Sequence, residues 1–274
     1  MTKDGKTNVI RPKTTFGARN RALALLGILC LSVSSCGNDN VADDPRVPEP
    51  SAPATLDYSF VWHESPAADL NSPTGTFIRA ATESLQRSLD FGSISSGFPG
   101  FDTAVEDSSP SVSELVHDLG NLPTEVPDAA GALDTRILSA ETDGVDTRAI
   151  VCVYQDRYLV SSSGTESYQV GADDEFDTRA TEVAFKTEGT PPPSKVFGPQ
   201  AMPASDAVFG EWKVSYIDFD LHDKERTEQE RIEQDCRNTR GEIPRIPDEG
   251  KTVPKNDPSA SIPPSPGWSN APAV

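Results

Sequence analysis

Apolar residues at helical spacing predict one long amphipathic helix early in the folded part of the chain, over residues 72–91. Its apolar stripe recurs every four positions, at Phe77, Ala81, Leu85 and Leu89. Ser72 suits the N-cap and Pro73 the first helical position, while Gly92 suits the C-terminal end. Another face carries charges of alternating sign, at Arg79, Glu83 and Arg87. A second, shorter helix is predicted over Ser111–Leu119.

After residue 132 the apolar period changes to two, which predicts β-strands. The predicted strands are Arg136–Thr142, Val145–Tyr154, Tyr158–Ser163, Arg179–Thr187 and Phe209–Leu221, with an earlier one at Asp57–Trp62. Asp143-Gly144 predicts a tight hairpin, and Gln155–Arg157 is the expected connection between the next two strands. A change of phase near Tyr216 predicts either a bulge or a twist of the strand between two cores. Lys224–Asn238 is predicted to be a charged helix with a narrow apolar face.

The order of these elements predicts an α+β domain over residues 57–238. Its N-terminal helices would pack on one face of a curved antiparallel sheet, and Trp62 would lie in the core rather than contact a ligand. The Pro-rich loop 189–204 interrupts the strands. Residues 239–274 contain eight prolines and one large core former, Trp268, which predicts a tail that is disordered or loosely draped over the domain.

The first 35 residues have the pattern of an export signal. Six basic residues precede an apolar run, Ala22–Val33, that is too short to span a bilayer as a helix. The sequence Val33-Ser34-Ser35-Cys36 then resembles a bacterial lipobox, in which the cysteine is lipidated and becomes the new N-terminus. An ordinary secretory signal with an incidental cysteine is the alternative. We therefore expect a lipid on Cys36, a Pro-rich tether over residues 36–56, and a domain on the extracytoplasmic face of the cell membrane.

The chain is strongly acidic, with a net charge of −19. Cleavage before Cys36 would remove six basic residues and one acidic residue, so the remaining 239 residues would carry −24. Such a charge disfavours nucleic acid and anionic lipid headgroups as partners. We therefore expect contact with the membrane through the lipid alone, and a protein or small-molecule partner in the envelope.

Two cysteines remain after the predicted loss of Cys30 with the signal and lipidation of Cys36. In an exported protein this pair, Cys152 and Cys236, predicts one disulfide between a strand and the charged helix. Each cysteine lies in an apolar stripe of its own element. The alternative is two free, buried thiols that act as small hydrophobic groups.

No catalytic, cofactor or zinc-binding motif is found in the sequence, and we predict no cofactor. Asp218, Asp220 and His222 alternate along the last predicted strand, so all three side chains would face one side and reach one divalent ion. The favoured interpretation is a solvated strand face, with no metal. A second acidic run over 173–177 lacks the pattern of a calcium loop and is interpreted as a solvated turn.

Several short sequence segments within residues 72–236 resemble segments of uncharacterised exported lipoproteins of actinomycete type. They are SPTGTFIRAATES, FPGF, RILSAETDG, VCVY and VFGEWKV, together with the late cysteine. The resemblance implies a shared fold and export route without an activity. The order of elements is also similar to a cone-shaped, NTF2-like domain with a pocket. We expect a lipid-anchored binding or interaction protein; the alternative is a pocket-based hydrolase or isomerase of the envelope.

Overall fold

Seven β-strands and three α-helices make up the part of the chain that the computed structural model describes, which is residues 57–106, 108, 128–161, 165–170, 178–221, 223–244 and 252–269. The elements are β1 (Ser59–His63), α1 (Pro73–Phe91), α2 (Phe101–Ala104), β2 (Asp128–Asp143), β3 (Asp146–Ser161), β4 (Ser167–Val170), β5 (Thr178–Lys186), β6 (Lys213–Phe219), α3 (Arg226–Thr239) and β7 (Thr252–Pro254). All of these residues belong to the unit Pro48–Val274. The predicted α+β class is confirmed.

The strands form one mixed sheet. Five of them follow the order β1-β2-β3-β4-β7, and on a second branch β5 pairs with β3 and β6 pairs with β5. Strand β1 pairs with β2 in parallel, with Phe60 opposite Leu133. The prediction of a wholly antiparallel sheet is therefore wrong at this edge. A parallel pair needs a long crossover connection, and here α1 and α2 lie in the connection between β1 and β2.

Helix α1 matches its sequence prediction closely. The Ser72 side chain accepts a hydrogen bond from the Gly75 amide at 3.0 Å, and Gly92 ends the helix in the left-handed conformation with φ 62°. Phe77 and Leu85 of the predicted stripe are buried in the main core. The local signals at both ends were therefore sufficient to define this element.

Strands β2 and β3 form a long hairpin around the predicted Asp143-Gly144 turn, where Gly144 adopts φ 63°. The predicted break at Gln155–Arg157 is wrong, because β3 continues through it as one strand of 16 residues. The polar residues there are accommodated by a β-bulge against β2, between the pairs Ala132–Arg157 and Asp134–Tyr154. The predicted bulge near Tyr216 is present, since β6 shifts register against β5 between Val214 and Tyr216.

The sheet carries helices on both faces, so the prediction of helices on one face is wrong. Alternate residues of β3 point to opposite sides of the sheet. Val151 and Val153 pack in the core beneath α1, whereas Ile150 and Tyr154 pack in a second, smaller core beneath α3. We call these sides the α1 face and the α3 face.

The segment 252–269, which we call the strap, is part of the folded domain. Its first residues form β7, which pairs with β4. Further along, Ser265 bonds to β1: the Trp62 amide donates to the Ser265 carbonyl at 2.6 Å and the Ser265 amide donates to the Phe60 carbonyl at 3.1 Å. Trp268 is 0% exposed. The prediction of a disordered tail is wrong for this segment, because its one large aromatic residue reaches the core.

Several predictions fall outside the described residues. These are the export signal, Cys36, the tether, the helix Ser111–Leu119, His222 and the acidic run at 173–177. Among the helices that the structure describes, none has the length and apolar character needed to cross a membrane. The domain boundaries proposed from the sequence stay predictions.

Candidate functional site

A cleft of about 560 Å³ opens beyond the C-terminal end of β1, and we call it the Trp62 cleft. Four separate pieces of chain build it: the end of β1, the loop that leads into α1, the Pro-rich loop and the strap. The described residues that line it are Trp62, Glu64, Ser65, Ala68, Asp69, Leu70, Asn71, Phe197, Ser265 and Pro266. Its volume lies within the usual range for small-molecule sites.

The Pro-rich loop is pinned to the start of α1 by two hydrogen bonds. The Lys195 amide donates to the Asn71 carbonyl at 2.9 Å, and the Thr76 hydroxyl donates to the Pro193 carbonyl at 2.9 Å. These bonds hold Phe197 over the cleft, where its ring is 47% exposed. One wall of the cleft is therefore an aromatic side chain that the protein leaves open to solvent.

The same loop crosses the strap at very short range, which requires glycine on both sides. A Cβ atom on Gly198 would lie 2.2 Å from the Trp268 carbonyl oxygen, and one on Gly267 would lie 2.0 Å from the Gly198 carbonyl oxygen. Any larger residue at either position would force the two backbones apart. The Trp268 amide donates to the Gln200 carbonyl at 2.8 Å beside this crossing.

Behind the cleft, a buried polar cluster joins α1 to β1 and to the strap. The two carboxylate oxygens of Glu83 accept hydrogen bonds from two indoles, from Trp62 Nε1 at 2.8 Å and from Trp268 Nε1 at 2.9 Å. The Arg79 guanidinium lies 4.2 Å from the centre of the Trp268 ring and donates to the Pro266 carbonyl at 2.7 Å. This cluster fixes the position of the cleft wall formed by Trp62 and Pro266.

Burial raises the pKa of Glu83 to about 7, although Arg79 and the two indole N–H groups act to lower it. Burial also lowers the pKa of Arg79, and the charge of Glu83 acts in the opposite direction. Both side chains were interpreted from the sequence as part of a charged helix face. The sequence signal for their burial is Trp268. A disordered tail does not require a large aromatic residue, so Trp268 indicates that the tail packs on the domain, and it packs on these two side chains.

Two polar side chains that line the Trp62 cleft, Ser65 and Asp69, form hydrogen bonds within the protein. The Ser65 hydroxyl donates to the Ile137 carbonyl at 2.6 Å and accepts from the Ala67 amide at 3.0 Å. Asp69 Oδ1 accepts from the Asn71 amide at 2.9 Å. Glu64 projects from the exposed rim. The lining therefore offers aromatic and apolar walls with carboxylates at the edge, which is an arrangement for binding.

A separate cluster of polar side chains lies on the α3 face, at the edge of the sheet formed by β1. His63 Nε2 lies 2.7 Å from Asp134 Oδ1, and Arg157 donates to both oxygens of the same carboxylate at 2.6 and 2.8 Å. Burial of Asp134 raises its pKa, but the hydrogen bonds from His63 and Arg157 outweigh burial and hold the pKa below its usual value. Asp134 is therefore a buried carboxylate that orients the imidazole ring.

A second cleft, of about 320 Å³, lies on the α3 face between α3 and the sheet. The fully buried Glu182 carboxylate at its base contacts Arg148 Nη1 at 2.5 Å and Lys224 Nζ at 2.6 Å. Arg231 on its rim pairs with Asp235 at 3.1 Å. Each of these charged groups is paired with an opposite charge of the protein. By contrast, the Glu64 and Asp69 carboxylates of the Trp62 cleft form no ion pair with the described residues.

Of the site residues predicted from the sequence, Cys152 and Cys236 form the expected disulfide, with a Cα–Cα distance of 5.5 Å. The alternative of two free thiols does not apply. Tyr154 strengthens this junction, because its hydroxyl donates to the Cys236 carbonyl at 2.8 Å. The bridge therefore ties the centre of β3 to α3.

The geometry assumed for the candidate metal ligands is wrong. Strand β6 ends at Phe219, and Asp220 adopts a left-handed conformation with φ 61°, so Asp218 and Asp220 do not alternate along one strand. Asp218 is also not part of a solvated face: it is 5% exposed and accepts hydrogen bonds from the Tyr216 hydroxyl at 3.1 Å and the Asp223 amide at 3.0 Å. Within the described ranges, no group of three or more candidate ligands that could hold a metal ion is found.

Trp62 is buried in the core beneath α1, as predicted, and it also lines the cleft. This second property has no signal in the sequence, because the cleft is assembled from segments about 200 residues apart. A scan against protein-family models, a search of curated proteins and a search of solved structures each found no match to the chain.

Proposed function

We propose that this protein is a lipid-anchored, extracytoplasmic binding protein that holds a small ligand in the Trp62 cleft. The observation that carries the proposal is the cleft itself: the buried Glu83 cluster holds its Trp62 wall in place, and two hydrogen bonds to the Pro-rich loop hold its Phe197 wall. The lining combines the apolar side chains of Trp62, Leu70 and Phe197 with polar side chains, and small-molecule sites are typically concavities of this size in which polar groups orient the ligand.

The position of the cleft supports the proposed anchor. The predicted tether ends at residue 56, immediately before β1, whereas the cleft lies beyond the last residue of β1, His63. The five residues of that strand span about 16 Å. In a domain held through Cys36, the cleft would lie about 16 Å along β1 from the segment where the tether joins the domain.

The anchor is tested on the native protein by mass spectrometry of its N-terminal peptide. We expect diacylglycerol on Cys36, with residues 1–35 removed. An unmodified terminus at another position would contradict the proposed localisation.

The cleft is tested by native mass spectrometry of the full chain purified in detergent from its own cells. We expect a small-molecule adduct that is lost when Ser265→Trp fills the cleft, because Ser265 is exposed and lines it. Ser261→Trp is the matched control: Ser261 is an exposed serine of the same strap that does not line the cleft. An adduct that survives Ser265→Trp would contradict this site.

The alternative proposal is a hydrolase or isomerase of the cell envelope, and one observation favours it. The His63 side chain is 25% exposed and is oriented by the buried Asp134, as in a general base assisted by a carboxylate. The test is turnover of a panel of esters and amides by the purified full chain. This proposal requires turnover that His63→Gln abolishes while folding is retained.

The NTF2-like cone and the likeness to exported lipoproteins are also part of the proposal. Bulges in the pairing of β2 with β3 and of β5 with β6 support a curved sheet. The second helix-bearing face distinguishes the domain from a simple cone with helices on one side. An experimental structure with the concave side of the sheet toward α1 would support the cone.

A further inference from the structure

The charge of the Trp62 cleft indicates what kind of ligand it accepts. Glu64 and Asp69 are exposed acidic residues at its edge, and none of the described residues that line it is basic. Within the described part of the chain, neither side chain forms an ion pair. The cleft therefore has two uncompensated negative charges next to its apolar walls.

The second cleft shows that this pattern is not a general property of an acidic protein. There the buried Glu182 is contacted by both Arg148 and Lys224, and the rim residues Arg231 and Asp235 pair with each other. At the second cleft, cations of the protein therefore lie beside Glu182 and Asp235, whereas none of the described residues that line the Trp62 cleft is basic. A cation supplied by a ligand would complete the Trp62 cleft.

The aromatic residues of the cleft also favour a positively charged ligand. Phe197 presents an exposed ring, and Trp62 forms part of the floor. The faces of aromatic rings carry negative electrostatic potential and attract ammonium groups. The net charge of −19 also raises the local concentration of cations around the whole protein.

We propose that the Trp62 cleft binds a small organic amine, in which an apolar body lies against Phe197 and Leu70 and a protonated nitrogen lies between Glu64 and Asp69. The inference rests on the proposed binding function and specifies its ligand class. The volume of about 560 Å³ fits a small molecule, which is why we assign a free amine.

The test is isothermal titration calorimetry of the full chain in detergent with three probes of similar shape: 2-phenylethylamine, 2-phenylethanol and phenylacetate. We expect the amine to bind roughly fivefold or more tightly than the alcohol, because exposed ion pairs and cation–aromatic contacts each add a small favourable contribution. The preference should shrink at high salt, because the carboxylates are at the surface. Phenylacetate should bind most weakly.

Paired variants assign the preference to the cleft. Glu64→Gln with Asp69→Asn keeps side-chain size and the turn at Asp69, and it should reduce the affinity for the amine to that for the alcohol. Glu106→Gln with Asp102→Asn is the matched control, because both residues are exposed and Asp102 Oδ1 likewise accepts a backbone hydrogen bond, from Thr103. The control should retain the preference for the amine.

Equal binding of the amine and the alcohol would overturn the ligand class and leave the cleft as a binding site for neutral molecules. A preference that survives in the cleft variant would also overturn it, because the charge would then act elsewhere. Failure of all three probes to bind would overturn the amine assignment. The adduct experiment with Ser265→Trp would still decide the binding function separately.

Discussion

Different interactions stabilise the packing of the helices on the two faces of the sheet. On the α1 face, a large aromatic core surrounds Phe77, whose ring stacks on Phe185 at 4.5 Å and contacts Phe209 and Trp212 edge-on or tilted. On the α3 face, Ile232 and Cys236 are the buried residues that the helix contributes. Burial of apolar area stabilises the first face, whereas the second depends on a covalent bond.

The two clefts lie on faces that are stabilised differently, so their walls differ in how firmly they are held. The Trp62 cleft lies beside the aromatic core, where dense packing and the Glu83 cluster hold its walls in one arrangement. The cleft on the α3 face lies beneath a helix that is attached to the sheet by the Cys152–Cys236 disulfide, by the hydrogen bond from Tyr154 to the Cys236 carbonyl, and by the ion pair of Arg240 with Asp156. A binding site benefits from preorganised walls. The α1 face is therefore the better scaffold for a ligand.

The largest effect is expected from Phe77→Ala, which removes the central ring of the α1 core. The domain should lose roughly 3–5 kcal/mol of unfolding free energy, the usual cost of truncating a buried phenylalanine. Urea denaturation followed by near-UV circular dichroism measures it. Phe91→Ala is the control on the same helix, because Phe91 is 39% exposed and its loss should cost far less. Equal costs would show that the aromatic core does not stabilise this face.

Cys236→Ser should cost about 2–4 kcal/mol, because the bridge closes a loop with a sequence separation of 84 residues. Hydrogen exchange should show that α3 loses protection first while the hairpin at Asp143-Gly144 and helix α1 stay protected. Cys152→Ser should give the same pattern, since it removes the same bond. Simultaneous loss of protection in α1 would contradict the separate stabilisation of the two faces.

Glu83 should make the stability of the α1 face depend on pH. Its pKa is about 7 in the folded protein against an ordinary value of 4.5, so the folded state retains a proton that the unfolded state releases between these values. Stability should therefore fall as pH rises from about 4.5 to 7, by up to about 3 kcal/mol.

Glu83→Gln, a neutral residue, should remove that pH dependence, and Glu141→Gln at an exposed position should retain it. The measurement is the urea midpoint of each variant at a series of pH values. A wild-type midpoint that rises across this interval would contradict the assignment to Glu83.

The smallest effect is expected from Arg226→Ala on α3. Arg226 Nε lies 2.8 Å from Glu230, but both side chains are mostly exposed, so the pair should contribute no more than about 0.5 kcal/mol. Thermal unfolding measures it, with Cys236→Ser as the reference for a strong effect on the same helix. A loss comparable with that of Cys236→Ser would show that surface ion pairs hold α3.

Elements with local signals were predictable from the sequence. Helix α1 begins at a Ser72 cap and ends at Gly92, and the hairpin turns at Gly144, so each is specified by residues within a few positions. The Cys152–Cys236 bridge was predictable because the predicted export signal and lipidation would leave these two cysteines as the pair. In each case the deciding information lay in a short segment or in a simple count.

Features that depend on distant partners were not predictable. Strand β3 runs through Gln155–Arg157 because pairing with β2 overrides the local polar signal. The strap folds because Trp268 meets Glu83, which is 185 residues earlier in the chain. The candidate site was missed for the same reason, since Trp62, Phe197 and Ser265 come together only in the tertiary structure.

The central claim is that the α1 face, through the Trp62 cleft, is the ligand-binding side of the molecule. The chain has three tryptophans, so its indole N–H signals in a ¹H–¹⁵N spectrum form a small set of reporters. Trp62 lines the cleft, whereas Trp212 lies in the core outside the lining. In a screen of small amine and neutral fragments against the full chain, binders should shift the Trp62 indole signal and leave that of Trp212 in place. Fragments that bind the protein without moving the Trp62 signal would contradict the claim.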